Sequence, residues 1–156
     1  MILSEYSQLR ELIMSGRRIA VVGASASPLR ASNFVYKYLR AFGLEAYGVN
    51  PAAPDIDGVP CYPTLAAYVA AQGPPDIVDV FRKPADCPQV SRDAIAAGAK
   101  AIWFQYGVIS KEAIQIADDA GLLVVFDRCL KVEHARINGG LSIAGMNSGR
   151  ITARRS

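Results

Sequence analysis

The chain has 156 residues, of which 51% are apolar and 20% are charged, with a net charge of +3. This profile fits one globular domain and lacks the clustered basic surface typical of a nucleic-acid binder. No stretch approaches the ~20 apolar residues of a membrane span, and residues 1–18 lack the apolar run of a signal peptide. We therefore expect a cytoplasmic protein that binds neither nucleic acid nor a membrane.

The first half of the chain alternates predicted helices and strands. Apolar residues at helical spacing predict an opening helix at residues 5–15 and a second helix at residues 31–42. Short apolar runs predict buried strands at residues 18–22 and 46–49. Residues 50–64 are rich in proline and glycine, which predicts a loop.

The second half continues the same alternation, beginning with a helix. Helices and strands are predicted in turn over residues 65–71, 77–81, 84–97, 100–104, 110–120 and 122–126. Ser110, followed by Glu112, is expected to cap the last of these helices. A further short helix is expected to follow the last strand.

Strands that are apolar on both faces and alternate with helices predict a parallel sheet covered by helices on both sides. We expect a single Rossmann-like, doubly wound α/β domain with a five-stranded, mainly parallel sheet in the order 3-2-1-4-5. In that order the strand of residues 77–81 lies at one edge, beside the strand of residues 46–49. We expect residues 1–16 to pack on a domain of residues 17–137, and residues 138–156 to form a C-terminal extension.

In a doubly wound sheet, ligands bind beyond the carboxyl ends of the strands. The polar groups that follow the predicted strands are Gly23-Ala24-Ser25, Asn50-Pro51, Arg82-Lys83-Pro84, Gln105-Tyr106-Gly107 and Asp127-Arg128-Cys129. Gly23 allows a sharp turn, and Ser25 and Ser27 can donate to phosphate oxygens at the N-terminus of the next helix. An ordinary turn and helix cap require the same residue types, so the spacing alone leaves both interpretations open.

Two phosphate-binding motifs are absent from the sequence. The dinucleotide fingerprint G-x-G-x-x-G needs glycine where this chain has Ser25 and Pro28, and an acidic residue where it has Asn50. The sequence also lacks G-x-x-x-x-G-K-[ST]. These absences disfavour an NAD-dependent dehydrogenase and a nucleoside-triphosphate hydrolase.

Six short motifs lie at the ends of the predicted elements, spread over residues 16–137. They are VVGASASP (21–28), GVNP (48–51), GVPCYPTL (58–65), VDVFRKP (78–84), IWFQYGV (102–108) and DRCLKVEH (127–134). Together they resemble the small stand-alone CoA-binding proteins and the CoA-binding domain of the succinyl-CoA synthetase α chain and of NDP-forming acyl-CoA synthetases. The resemblance implies a Rossmann-like protein whose ligand is coenzyme A or an acyl-CoA.

The resemblance also implies roles for individual residues. The 23–28 loop would hold the pyrophosphate, and Asn50 and Pro51 would line the adenosine side. Residues 80–84 would line the path of the phosphates and pantetheine. The complete candidate set is Gly23, Ala24, Ser25, Ser27, Pro28, Arg30, Asn50, Pro51, Val80, Phe81, Arg82, Lys83, Pro84, Gln105, Tyr106, Gly107 and Cys129.

Two arginines are the candidate phosphate-binding cations in this set. Arg82 at a strand tip would gain a charge-assisted hydrogen bond, whereas Arg30 either reaches a phosphate or is a solvated charge at the start of a helix. Related sequences often carry lysine or arginine shortly after the Asn-Pro pair, where this chain has Ala52 and Ala53. Recognition of the 3′-phosphate is therefore unassigned.

The three cysteines and the single histidine carry the remaining candidate chemistry. Three widely spaced cysteines fit neither a disulfide framework nor a zinc site, so no metal site is predicted. His134, beside Glu133, is expected to satisfy local hydrogen bonds. Cys129 is either a structural cysteine or a thiol that forms a mixed disulfide with CoA or accepts an acyl group, with Arg128 favouring its thiolate.

The sequence does not contain the phosphorylated catalytic histidine that the synthetases carry on a second domain. We therefore expect a CoA-binding module without catalytic machinery. The alternatives are an enzyme that acts on CoA thioesters or on another nucleotide cofactor of the NAD or FAD type, and a subunit that docks to separate synthetase chains. Tyr6, Leu9 and Ile13 on the opening helix either cover the sheet or form a homodimer contact.

Overall fold

Helices and strands alternate along residues 1–138, the part of the chain that the computed structural model describes. The helices are α1 (Tyr6–Ser15), α2 (Ala31–Ala41), α3 (Leu65–Gln72), α4 (Cys87–Ala96), α5 (Lys111–Asp119) and α6 (Leu130–Ile137). The strands are β1 (Arg18–Val22), β2 (Glu45–Val49), β3 (Asp55–Ile56), β4 (Val59–Tyr62), β5 (Ile77–Val80), β6 (Ala101–Phe104) and β7 (Leu123–Phe126). Within these residues no helix has the length and apolar character needed to cross a bilayer. The predicted C-terminal extension lies, apart from its first residue, outside the described part.

The strands form one sheet in the order β3-β4-β2-β1-β5-β6-β7, and every neighbouring pair except β3–β4 is parallel. This confirms the predicted α/β fold with a mainly parallel sheet. The predicted number of strands and their order, 3-2-1-4-5, are wrong. The strand of residues 77–80 pairs with β1, where Ile77 lies opposite Ile19, and not beyond β2.

The place beside β2 is filled by β4, in a segment that the sequence predicted as a loop. The proline and glycine that suggested a loop belong to a hairpin, because Asp57 and Gly58 both have positive φ and join β3 to β4. Pro60 is tolerated near the sheet margin, where its missing N–H costs little. With β4 counted, the six parallel strands follow the order 3-2-1-4-5-6 known from Rossmann domains.

Helices cover both faces of the sheet, as a doubly wound fold requires. On one face α1, α2 and α6 pack against Val21, Trp103 and Val125. On the other face α3, α4 and α5 pack against Val22, Val80 and Phe104. We refer below to the α2–α6 face and the α3–α5 face.

The opening segment extends the sheet and then covers it. Ile2 pairs with Val124 of β7, and the Leu3 N–H donates to the Val124 carbonyl at 2.8 Å. Leu9 and Ile13 of α1 are buried in the core of the α2–α6 face, whereas Tyr6 is 56% exposed. Leu9 and Ile13 therefore cover the sheet within this chain.

Candidate functional site

The carboxyl ends of the parallel strands lie level at one edge of the sheet. Val22 is the register partner of both Val49 and Val80, Val80 pairs with Phe104, and Phe104 pairs with Phe126. Because each of these residues ends its strand, the five polar groups predicted from the sequence all begin at this edge. The structure thus brings the predicted groups together along one line.

The loop after β1 passes so close to β5 that only glycine fits. Gly23 has φ +88°, and a Cβ at this position would lie 2.4 Å from the Phe81 carbonyl oxygen and 3.0 Å from Cδ of Arg82. The Gly23 N–H donates to the Val49 carbonyl at 2.9 Å. The turn is therefore fixed against both neighbouring strands, and Arg82 lies directly beside it.

The rest of this loop is held by its own hydroxyls and by one residue that the sequence analysis missed. The Ser27 N–H donates to the Ser25 hydroxyl at 3.0 Å. Asn33 of α2 is buried, and its Nδ2 donates to the Ser25 carbonyl at 2.8 Å. A polar residue on the buried face of an otherwise amphipathic helix is the signal that identifies Asn33.

The loop leads into the N-terminus of α2, where the positively charged side chain of Arg30 is exposed. Ser27, Pro28 and Arg30 are exposed, and Arg30 is the N-cap residue of α2. The first turn of α2 contains no acidic residue. A basic residue beside the positive end of a helix dipole is an arrangement that favours a bound anion.

Asn50 joins the loops that follow β1 and β2. Its Nδ2 donates to the Ala24 carbonyl at 2.7 Å, and its Oδ1 accepts from the Ala52 N–H at 2.9 Å. Its backbone N–H donates to Tyr62 at the end of β4. Asn50 is thus a structural link in addition to lying at the predicted edge.

A cleft of about 170 Å³ opens at this edge toward α3 and α4. Its lining includes Pro51 and Arg82 from the predicted set, together with Pro63, Thr64 and Asp93. The Arg82 guanidinium lies 3.2 Å from the carboxylate of Asp86, and both side chains are more than one third exposed. An exposed pair of this kind is worth ~0–1 kcal/mol, so exchanging Asp86 for a phosphate costs little.

Several predicted residues are placed differently along the edge. Val80 and Ala24 are fully buried in the core, which leaves only their backbone for a ligand, and Phe81 is half-buried. Lys83 and Pro84 are exposed at the start of the 3₁₀ turn that precedes α4. At this edge Lys83 and Pro84 therefore offer their side chains to a ligand, whereas Val80 and Ala24 offer only backbone.

The loop after β6 is tied to the loop after β7. Tyr106 is 67% exposed, and the Gly107 N–H donates to Oδ1 of Asp127 at 3.0 Å. Both Gly107 and Asp127 have positive φ, at 80° and 56°. The Asp127 carboxylate therefore fixes the direction in which Tyr106 projects from the edge.

Gln105 points into the protein and not along the edge. It is 3% exposed, and its Nε2 donates to Oδ1 of Asp79, which is fully buried on β5. Burial raises the pKa of Asp79 to about 8, although the hydrogen bond from Gln105 lowers it. Residues 77–81 were predicted as a near-continuously apolar strand, and Asp79 is the one charged residue within it.

Cys129 is half-buried after β7, at the N-cap of α6. Burial raises the pKa of its thiol, and the nearby charge of Asp79 raises it further, against the opposing effects of the Val132 and Lys131 N–H groups. Lys131 is the basic residue whose charge lowers the pKa of this thiol, whereas the Arg128 guanidinium lies 3.7 Å from the carboxylate of Glu133. His134 hydrogen-bonds the Tyr38 hydroxyl at 2.9 Å.

Residues 17–135, which include every candidate residue named above, match the family model described as a CoA binding domain. The chain belongs to this family. The match begins before β1 and ends within α6, so it covers the whole strand edge and every helix named above except α1. The family predicted from the six sequence motifs is confirmed.

Similar proteins and solved structures match most of the chain. The protein YneT of Bacillus subtilis (strain 168) is 36% identical over 129 residues, which are 83% of this chain and 93% of YneT. A solved structure of a Pyrococcus horikoshii OT3 protein has a TM-score of 0.82 at 38% identity and covers 87% of this chain and 94% of that one. An ADP-forming acetate–CoA ligase of Archaeoglobus fulgidus is 30% identical over 146 residues, 85% of this chain but 21% of the ligase. The chain thus corresponds to about one fifth of that enzyme.

Proposed function

We propose that this protein binds CoA or an acyl-CoA along the carboxyl edge of the sheet and acts as a CoA-binding module. The observation that carries the proposal is the position of Arg82, whose Cδ lies against the tightly packed turn at Gly23. This arrangement places a cation beside a glycine turn that leads into a helix N-terminus. Such a combination is suited to a diphosphate group.

The three parts of the ligand have different partners in this proposal. The diphosphate lies on the 23–28 loop, within reach of Arg82 and Arg30. The adenosine lies near Asn50 and Pro51, and the pantetheine runs past residues 81–84 toward Tyr106. Membership of the CoA-binding domain family and the similarity to a CoA ligase support this assignment.

The direct test is a thermal unfolding series with CoA, acetyl-CoA, dephospho-CoA, NAD, FAD and ATP, followed by calorimetric titration of each ligand that shifts the transition. CoA at 100 times its dissociation constant stabilises the folded state by ~2.7 kcal/mol. We expect a shift with CoA and acetyl-CoA. Comparison of CoA with dephospho-CoA measures the contribution of the 3′-phosphate, for which the sequence assigns no partner.

Arg82→Ala is expected to weaken CoA binding by at least about tenfold, since a charge-assisted hydrogen bond contributes ~1.5–3 kcal/mol. Arg92→Ala is the matched control, because Arg92 on α4 also forms an exposed ion pair, at 3.8 Å from Glu112, and does not line the cleft. Calorimetry of both variants measures the difference. Equal affinities for the two variants would remove Arg82 from the site. Stabilisation by NAD or FAD without any by CoA would favour the oxidoreductase alternative.

A further inference from the structure

The cleft beside Arg82 continues into a groove between α3 and α4. The groove has a volume of about 330 Å³, and Thr64, Leu65 and Asp93 line both the groove and the cleft. Arg82, which lies beside the turn at Gly23, lines only the cleft. Asp93 therefore lies on the side where the cleft meets the groove, and Arg82 lies away from that junction.

The cleft, at about 170 Å³, has the size and the walls for one part of a nucleotide ligand. Pockets that enclose a whole small-molecule ligand measure ~300–1,000 Å³. The apolar walls of the cleft come from the ends of β1 and β2, from the loops after β2 and β4, and from α3 and α4. They are Val22, Val49, Pro51, Pro63, Leu65 and Val90. Walls of this kind fit the faces of a flat heterocyclic ring, and the few polar groups among them fix its orientation.

Asp93 is the acidic residue that lines this cleft. It is exposed on α4, and its Oδ1 accepts a hydrogen bond from Nε2 of Gln89 at 2.9 Å. Within residues 1–138 its carboxylate takes part in none of the ion pairs. The carboxylate can therefore accept a hydrogen bond from a ligand, but it repels a phosphate. A ligand whose diphosphate lies at Arg82 gains most by presenting an N–H donor to Asp93.

Thr64 supplies a hydrogen-bond donor to the same cleft. Its side-chain oxygen accepts the Ala67 N–H at 3.1 Å as the N-cap of α3, and this leaves the hydroxyl proton for a ligand. An acceptor and a donor in one cleft match an amino group that lies next to a ring nitrogen. Adenine carries this combination, since its N6 amino group donates and the neighbouring N7 accepts.

We propose that this cleft binds the adenine ring of the ligand and that Asp93 selects the base by accepting a hydrogen bond from its exocyclic amino group. The identity of the ligand rests on the proposed function, to which this inference adds the residue that recognises the base. The ring lies against Pro51, where the proposed function places the adenosine, and the diphosphate extends from it toward Arg82.

Calorimetric titration with CoA and with 1,N6-etheno-CoA tests this hydrogen bond. The etheno bridge removes the N–H donors of the amino group, and the groove between α3 and α4 opens beside it to take the added carbons. We expect the wild type to bind CoA at least about tenfold more tightly than etheno-CoA, as for the loss of a hydrogen bond to a charged group. Asp93→Ala should lower the affinity for CoA to that for etheno-CoA. Asp93→Asn, which keeps an acceptor oxygen, should retain a preference for CoA.

Asp119→Ala is the matched control. Asp119 on α5 accepts from Nε2 of Gln115 at 2.7 Å, in the same arrangement as Gln89 and Asp93, and it does not line the cleft or the groove. This variant should leave both affinities unchanged. If Asp93 faced the phosphates, its removal would instead strengthen the binding of both ligands, because a repelling charge is lost. Tighter binding of CoA by Asp93→Ala, or an unchanged affinity for CoA, would overturn the proposal.

ADP and its etheno derivative separate this inference from the proposed function, because they carry the base and the diphosphate without the pantetheine. A preference for ADP that depends on Asp93, with no binding of CoA, would refute only the proposed function. Binding of CoA without any effect of Asp93→Ala would refute only the recognition of adenine by Asp93. Absence of binding by all four ligands would refute both.

Discussion

Asp79 shows how one buried side chain couples the stability of the whole chain to pH. Its pKa is about 8 in the folded protein, against 3.8 for an exposed aspartate, so the folded state keeps a proton that the unfolded state has released. The stability that the protonated carboxyl contributes is fully present below about pH 4 and is lost as the pH rises to 8. The buried carboxyl thus favours folding in acid and opposes it in base.

We expect the free energy of unfolding of the wild type to fall relative to Asp79→Asn between pH 5.5 and pH 8.5, by on the order of a few kcal/mol. The asparagine does not titrate, and other groups cancel in the difference between the two proteins. Urea unfolding at three pH values measures this difference. A difference that stays constant with pH would contradict the raised pKa.

The role of Gly23 follows from the short distances between a Cβ at this position and the atoms of Phe81 and Arg82. Gly23→Ala should cost more than ~2 kcal/mol, because the new Cβ meets the Phe81 carbonyl in addition to the strain of φ +88°. Gly121→Ala is the matched control, since Gly121 has φ +89° but no atom of residues 1–138 within 4 Å of the new Cβ. Urea unfolding should show a smaller loss, ~1–2 kcal/mol, for the control. Equal losses would mean that the β1–β5 contact is looser than described.

At the scale of elements, the starts of α3 and α5 were predictable because their caps are local. Ser110 accepts the Ala113 N–H at 3.1 Å as the N-cap of α5, as its spacing from Glu112 indicated. Thr64 caps α3 in the same way through Ala67. In each case the cap and its partner are three residues apart, so no knowledge of the fold is needed.

Ser110→Ala is expected to lower the free energy of unfolding by ~1 kcal/mol, since α5 loses the acceptor for one of its free N–H groups. Ser110→Asp, which keeps an oxygen acceptor, should be close to the wild type. Thermal or urea unfolding of the two variants separates the effect of the cap from any effect of mutating the loop. An equal loss in both would show that the hydroxyl does not act as the cap.

The strand β4 marks the limit of prediction at this scale. Its four residues, Val-Pro-Cys-Tyr, contain a proline and follow a glycine turn, which locally favours a loop. They become a strand because Gly48 and Val49 of β2 offer free hydrogen-bonding groups at the right register. The error in the predicted strand order follows from this one omission, since β5 was then placed where β4 lies.

At the scale of the whole molecule, the ligand edge depends on elements distant in sequence. The Phe81 carbonyl leaves no room for a Cβ in the turn at Gly23, and the carboxylate of Asp127 accepts the Gly107 N–H in the loop after β6. Neither contact is visible in a local pattern. A ligand that bridges these loops would connect β1, β5 and β6, which is why CoA binding is expected to raise the unfolding temperature of the entire domain.

The sequence by itself determined the alternation of helices and strands, the doubly wound class and the family, because apolar periodicity, caps and strand-end motifs are local properties. It also named the five polar groups at the carboxyl edge, since parallel strands place their ends together. Only the tertiary structure decided the strand order, the buried link made by Asn33 and the hydrogen bond from Gln105 to the buried Asp79. Burial and hydrogen bonding between distant segments set these features, and a linear pattern carries no record of which segments meet.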